Sequence, residues 1–177
     1  RDIIVIVPTL NNDLTIQNVV DDILSFGYKV IVIDDGYTNP VSNFLKQNDN
    51  VTIIRHEKNR GKGEAILSGA KKAKELGCNY IATGHYAQIV EIDGLHYVKK
   101  GASKRKDQSY MLYRVSQDML KRIIFPLGEF EKSYVREISK DAEIITHDKP
   151  DSQGICFLGK INYNDFIERY LGKRTEI

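Results

Sequence analysis

Residues 3–7 read Ile3-Ile4-Val5-Ile6-Val7, and residues 30–33 read Val30-Ile31-Val32-Ile33. A half-exposed strand alternates apolar with polar side chains, so uninterrupted β-branched runs of this length mark strands covered on both faces. Between them, residues 15–26 place Ile16, Val19, Val20, Ile23 and Leu24 along one helical stripe that Gly27 ends. Residues 41–47 predict a short helix after Pro40, and residues 51–54 a third strand. Residues 64–76 predict a helix whose Ala65, Gly69, Ala70 and Ala73 let it lie close to a sheet, and residues 80–83, entered from Gly77, a fourth strand.

The βαβαβα order implies an α/β fold: a parallel, Rossmann-like three-layer sheet with right-handed crossovers and helices on both faces. After residue 83 the pattern changes. Residues 88–90 and 96–98 flank Asp93-Gly94, a hairpin signal. Residues 108–124 and 133–142 predict helices, the second with Ser133 as its N-cap, residues 146–160 a structured loop and residues 162–171 a closing helix. This second part is expected to be a small, mostly helical domain with a β-hairpin, so that the domains are residues 1–87 and 88–177.

Composition narrows the function classes. With 177 residues, 41% hydrophobic, 28% charged and a net charge of +2, the chain is an ordinary globular one and not a disordered one. No apolar run approaches the roughly 20 residues that span a bilayer, and residues 3–7 are too short for the core of a signal peptide. Cys78 and Cys156 cannot make a disulfide scaffold, and no Cys/His cluster has zinc spacing. No metal site is expected, and the reducing cytoplasm is the expected location. Charge is uneven along the chain: residues 1–77 balance, whereas Lys99, Lys100, Lys104, Arg105 and Lys106 follow one another with no acid among them. Such a strip is either a solvated loop or a contact for phosphates.

Ligands of an open parallel sheet sit beyond the carboxyl ends of its strands. Pro8-Thr9-Leu10-Asn11-Asn12 and Asp34-Asp35-Gly36-Tyr37 occupy that rim. The two aspartates either accept hydrogen bonds from a base or ribose, or cap the helices that follow. Asn59-Arg60-Gly61-Lys62-Gly63 stands where an anion could meet a helix N-terminus, without the spacing of a Walker loop.

Taken together, VIVPTLNND (5–13), VIDDGYTNP (32–40) and HEKNRGKGEAILSGAKKAKELG (56–77) resemble family 2 glycosyltransferases of the GT-A fold, over about residues 2–77. The resemblance implies a UDP- or GDP-sugar site whose nucleotide contacts fall on Pro8, Leu10, Asn12, Ile33 and Asp35. That family holds a divalent metal on an Asp-x-Asp after its fourth strand, to neutralise the leaving diphosphate. Here Tyr80-Ile81-Ala82-Thr83 runs into Gly84-His85-Tyr86, and the first acid is Glu91. Sugar transfer is therefore expected to be absent.

A second set of motifs is denser. ATGHYA (82–87), KDQSYML (106–112), FPLGEFEKSYVREISKDAEI (125–144) and KPDSQGICF (149–157) resemble the tRNA-specific 2-thiouridylases of the MnmA/TrmU family, over roughly residues 78–172. That resemblance implies ATP-dependent adenylation of a tRNA wobble uridine, followed by sulfur transfer from a cysteine persulfide loaded by a sulfur-donor protein. It puts Gly84 at an ATP contact, His85 at a tRNA contact, Lys106, Asp107 and Gln108 in the segment near the target base, and Cys156 at the persulfide. Lys104 and Arg105 join the tRNA-binding set through the basic strip.

The thiouridylase pattern is incomplete. PTLNND stands where that family has its SGGxDSS-type phosphate loop, and Cys78 lies too close to Gly84 to be its earlier, CxxCN-type cysteine. The chain ends at Ile177, before the family's C-terminal β-barrel. The expectation is a chimera: a glycosyltransferase-like part over 1–77, joined within one sheet to a thiouridylase-like strand over 78–87, then a tRNA-binding region over 88–177. Three functions follow from it: a thiouridylase-like sulfurtransferase without activity, a nucleotide-sugar binding fragment, or a non-catalytic engineered hybrid that keeps nucleotide or tRNA binding.

Overall fold

β2 (Lys29–Asp34) is the central strand, and all of its hydrophobic side chains are buried. A computed structural model describes residues 3–11, 14–36, 38–46 and 48–144. β1 (Ile4–Thr9) and β3 (Val51–Arg55) flank β2, both parallel to it, with Ile6 beside Ile31 and Val32 beside Ile53. Pleating sends Val30 and Val32 to one face, where they pack with Ile16 and Val20 of α1 (Ile16–Ser25) and with Val41 and Leu45. Ile31 and Ile33 point the other way, against Ala65 and Ala73 of α2 (Lys62–Glu75). Each such Val or Ile contributes about 1.5–3 kcal/mol by leaving water. A methyl at Gly69 would collide with Ile6, so the small-residue stripe of α2 is what brings the helix down onto the sheet. The result is the parallel, doubly covered α/β arrangement expected from the strand runs.

The chain divides into two compact units, Arg1–Phe130 and Glu131–Ile177. Within the first, β4 (Ile81–Ala82) follows α2 at the expected place but does not extend the first sheet. It pairs in parallel with β7 (Ile123–Ile124). The N–H groups of Ile81 and Thr83 donate to Arg122 and Ile124 carbonyls at 2.8 and 3.1 Å. The single sheet running through both halves is thus not formed: the hydrogen bonds it needs are made with residues 122–124 instead.

β5 (Ala87–Ile92) and β6 (Leu95–Lys100) form the expected antiparallel hairpin. Asp93 and Gly94 turn it with φ of +51° and +76°, the doubly left-handed turn that matches strand twist. The helix expected over 108–124 is instead a 3₁₀ turn (Ser109–Leu112), a single turn α3 (Gln117–Leu120), and β7. Tertiary bonds override its helical periodicity. Ile123 and Ile124 are taken by β4, and Gln117 both accepts from His96 N and donates to His96 O, at 2.8 and 2.6 Å. The helix expected over 41–47 is likewise only a 3₁₀ turn, Val41–Asn43.

In the second unit, α4 (Lys132–Asp141) matches its expected span, but its N-cap is Glu131 and Ser133 lies inside the first turn. The loop and helix expected over 146–160 and 162–171 lie outside the described residues. No helix among the described residues is long and apolar enough to cross a membrane.

Candidate nucleic-acid interface and nucleotide loops

The pleat that sorts the core also sorts the two aspartates at the end of β2. Asp34 points toward α1's face, where its Oδ2 accepts from Val41 N at 3.1 Å and lies 3.8 Å from the Arg55 guanidinium. Asp35 points toward α2's face. Its Oδ1 accepts from Arg60 N and its Oδ2 from Gly61 N, each at 2.9 Å, and Oδ1 lies 2.7 Å from His56 Nδ1. His56 Nε2 is in turn 2.9 Å from Ser68 Oγ on α2. Burial alone would push the Asp35 carboxyl up. The bonds from Arg60, His56 and Gly61, with the charge of His56, outweigh it and hold the group below the usual carboxylate range.

Asp35 thus takes the N–H groups of the two residues just ahead of α2, Arg60 and Gly61. Gly36 (φ +79°) lets the approach happen, since a Cβ there would run into the backbone of Lys58 and Asn59. Among the other nucleotide candidates, Pro8 lies on β1 in register with Ile33, the Ile33 side chain is fully buried, and Leu10 is exposed just beyond β1. Thr9 O accepts from Asp35 N at 3.0 Å, while Thr9 Oγ1 is buried with no hydrogen-bond partner. Asn12 and Tyr37 lie outside the described residues.

After β4, His85 Nδ1 is 2.8 Å from Thr83 Oγ1, and its ring meets Phe125 edge-on at 5.9 Å. Burial lowers the His85 pKa, and the Lys62 ammonium lowers it further, so near pH 7 the ring offers a neutral hydrogen bond and not a charge. Gly84 is exposed, and a methyl on it would make only ordinary contact with Leu127 Cδ1, at 3.6 Å.

The basic strip forms a closed loop at the end of β6. Asp107 Oδ1 accepts from Gly101 N at 3.1 Å and Ser109 N at 3.3 Å, and its Oδ2 accepts from Ser109 Oγ at 2.9 Å. Gln108 pairs with the Tyr86 backbone: its N donates to Tyr86 O, and its Oε1 accepts from Tyr86 N at 3.1 Å. Ala102 N donates to Gly128 O, and Lys106 N to Ser103 O. Burial would raise the Asp107 carboxyl, but the Ser109 hydroxyl, the Gly101 and Ser109 N–H groups and the Lys100 charge bring it below the usual range. In this structure Asp107 and Gln108 therefore brace the loop, Lys104 and Arg105 stand exposed on it, and Lys106 is half-buried.

Cys78 is half-buried beside the α2-face core, and Cys156 lies outside the described residues. Among the described residues, no group of three or more His, Cys, Asp or Glu is placed to hold a metal ion. His56, Ser68 and Gln117 escape the sequence reading. Only for His56 was there a usable signal: parallel pairing of Asp34 with Arg55 sets the next residues, Asp35 and His56, side by side.

Two family models match the chain. Residues 62–160 match the tRNA methyl transferase HUP domain. The chain belongs to that family. Residues 4–83 match glycosyl transferase family 2, so the two matches overlap over residues 62–83, which hold α2 and β4. The chimera read from the motifs has its junction, at residues 77–78, inside this overlap. Among curated relatives, the chain is 50% identical over 100 residues to the tRNA-specific 2-thiouridylase MnmA of Hydrogenovibrio crunogenus, covering 56% of this chain and 26% of that protein. It is 44% identical over 108 residues to the protein of the same name from Clostridioides difficile (60% and 30%) and 48% identical over 99 residues to that of Listeria monocytogenes (56% and 27%). The chain thus spans 26–30% of the length of these relatives.

Proposed function

We propose that this chain is a tRNA-binding module of the 2-thiouridylase kind that does not itself adenylate or thiolate tRNA. One observation supports the binding half of this reading above all others. The Asp107 carboxylate ties Gly101 to Ser109, so that the exposed cations Lys104 and Arg105 sit on a loop already closed before any ligand arrives. Preorganisation of that kind lowers the ordering cost of binding. Lys106 adds charge, Gln108 and Asp107 act first as braces, and His85 is a neutral contact. The names of the matched relatives support tRNA as the partner.

On this reading ATP is the nucleotide expected at Gly84 and around Pro8, Leu10, Asn12, Ile33 and Asp35. The residues present do not fit its triphosphate. PTLNND carries no glycine-rich cradle, and the Arg60 and Gly61 N–H groups ahead of α2 are already taken by the Asp35 carboxylate. No reaction step through ATP follows. Cys156 is the sulfur-carrying cysteine of this reading, a sulfur-donor protein its second partner, the cytoplasm its location, and residues 88–177 its tRNA-binding domain.

The match over residues 4–83 favours a second reading, a nucleotide-sugar binding fragment. The occupied oxygens of Asp35 weigh against it, because they are the acceptors a nucleoside would need.

The test is the affinity for unmodified tRNA across a salt series, with tRNA-dependent ATP–pyrophosphate exchange measured alongside. Affinity is expected to fall steeply with salt, and Lys104→Ala with Arg105→Ala to flatten the log–log slope by about 1.5. Affinity that ignores salt overturns the binding reading. Exchange above background overturns the claim of inactivity.

A further inference from the structure

The β5–β6 hairpin has two unlike faces. Its register places Ala87 opposite Lys100, Ile89 opposite Val98 and Glu91 opposite His96 on one face, and Gln88 opposite Lys99, Val90 opposite Tyr97 and Ile92 opposite Leu95 on the other. The first face turns inward: Ala87 is buried, and Ile89, His96 and Val98 are half-buried. The second is open. Tyr97 is 46% exposed, Leu95 49% and Ile92 54%. A single exposed apolar side chain is ordinary, but these three are cross-strand or next-but-one neighbours and make one patch.

What borders the patch narrows what covers it. Lys99 lies on the same face, roughly 7 Å along the strand from Tyr97. β6 then runs directly into the closed loop that exposes Lys104 and Arg105, and residues 94–106 contain no acid. An exposed aromatic ring on a strand that leads into a run of cations suits a ligand that has flat, apolar faces and regularly spaced negative charges. Unpaired nucleotides have both: bases stack on exposed aromatic rings while lysine and arginine hold the phosphates.

We propose that the open face of the hairpin, centred on Tyr97 and supported by Leu95 and Ile92, is a stacking platform for an unpaired RNA base whose neighbouring phosphates are held by Lys99, Lys104 and Arg105. The platform rests on the tRNA-binding reading above and goes beyond it, because it assigns a base contact to a residue outside the motifs that carry the family resemblance. It also changes which part of an RNA is engaged. A stacked base must be extruded or single-stranded, so the platform selects loops and ends over duplex.

The experiment is equilibrium binding of the whole chain to unmodified tRNA, to a single-stranded oligoribonucleotide and to a duplex of the same length. Tyr97→Ala, Tyr97→Phe and Lys99→Ala are measured over a salt series. Tyr97→Ala is expected to weaken tRNA and single-strand binding about tenfold, with an unchanged salt slope. Tyr97→Phe keeps the ring and is expected to bind as the parent does, and Lys99→Ala to lower the slope. Tyr97 is exposed, and an unchanged thermal midpoint in Tyr97→Ala verifies that the fold is intact. If the parent binds tRNA with a steep salt slope and Tyr97→Ala binds equally well, the platform is overturned while the tRNA reading stands. If the parent binds no RNA, both fall. Self-association of the chain that Tyr97→Ala abolishes, with RNA binding untouched, assigns the face to a second copy and overturns the platform as well.

Discussion

Asp35 and Asp107 do the same job in two regions of the molecule, with opposite results. Each carboxylate gathers two backbone N–H groups and a side-chain partner, and each thereby closes a loop at the end of a strand. Around Asp35 the closure centres on a buried carboxylate and imidazole, and it takes the N–H groups of the two residues ahead of α2. Around Asp107 it is half-exposed, and the loop it closes turns Lys104 and Arg105 outward. In the sheet region the acid uses up N–H groups ahead of a helix, whereas in the hairpin region the same device holds two cations at the surface.

The largest effect that tests this contrast is on stability. Asp35→Ala leaves the buried His56 without its carboxylate and frees two part-buried N–H groups, and is expected to cost about 3–5 kcal/mol in urea denaturation. Asp107→Ala, with water at hand, is expected to cost about 1–2 kcal/mol and to weaken tRNA binding. Equal costs would erase the distinction between the two loops. Gly36→Ala meets the Lys58–Asn59 backbone at a left-handed φ and is expected to lose about 2–3 kcal/mol. Gly84→Ala makes only van der Waals contact and is expected to stay within about 0.5 kcal/mol.

Acid sharpens the comparison. Both carboxyls lie below their unfolded value of about 3.9, so their stabilisation is complete above that pH and is lost as pH falls through the folded values. Replacing either Asp35 or Asp107 with Asn is expected to flatten the acid limb of the wild-type stability curve. The smallest effect is at His85. By NMR it is expected to titrate below the roughly 6.5 of a free imidazole, and Lys62→Gln is expected to move it only part of the way back, since burial is the larger cause.

The first half of the fold was legible because β-branched runs and a helical stripe state their burial directly. Ile31 and Ile33, read as covered on both faces, are fully buried. The second half was less so, because its hydrogen bonds join residues far apart in sequence. Nothing in 108–124 announces that Ile123 will pair with Ile81, or that Gln117 will bond to His96. The site shows the same divide. Sequence marked Asp35, Asp107 and Gln108 as chemically notable, but whether a carboxylate faces a ligand or its own backbone depends on where the chain places N–H groups. Those positions come from loops whose course the sequence does not spell out.

Gln117 carries one more consequence. Its amide takes both the N–H and the carbonyl of His96, as the backbone of an added strand would. At His96 the margin of β6 is thereby occupied, so a neighbouring chain cannot pair at that residue.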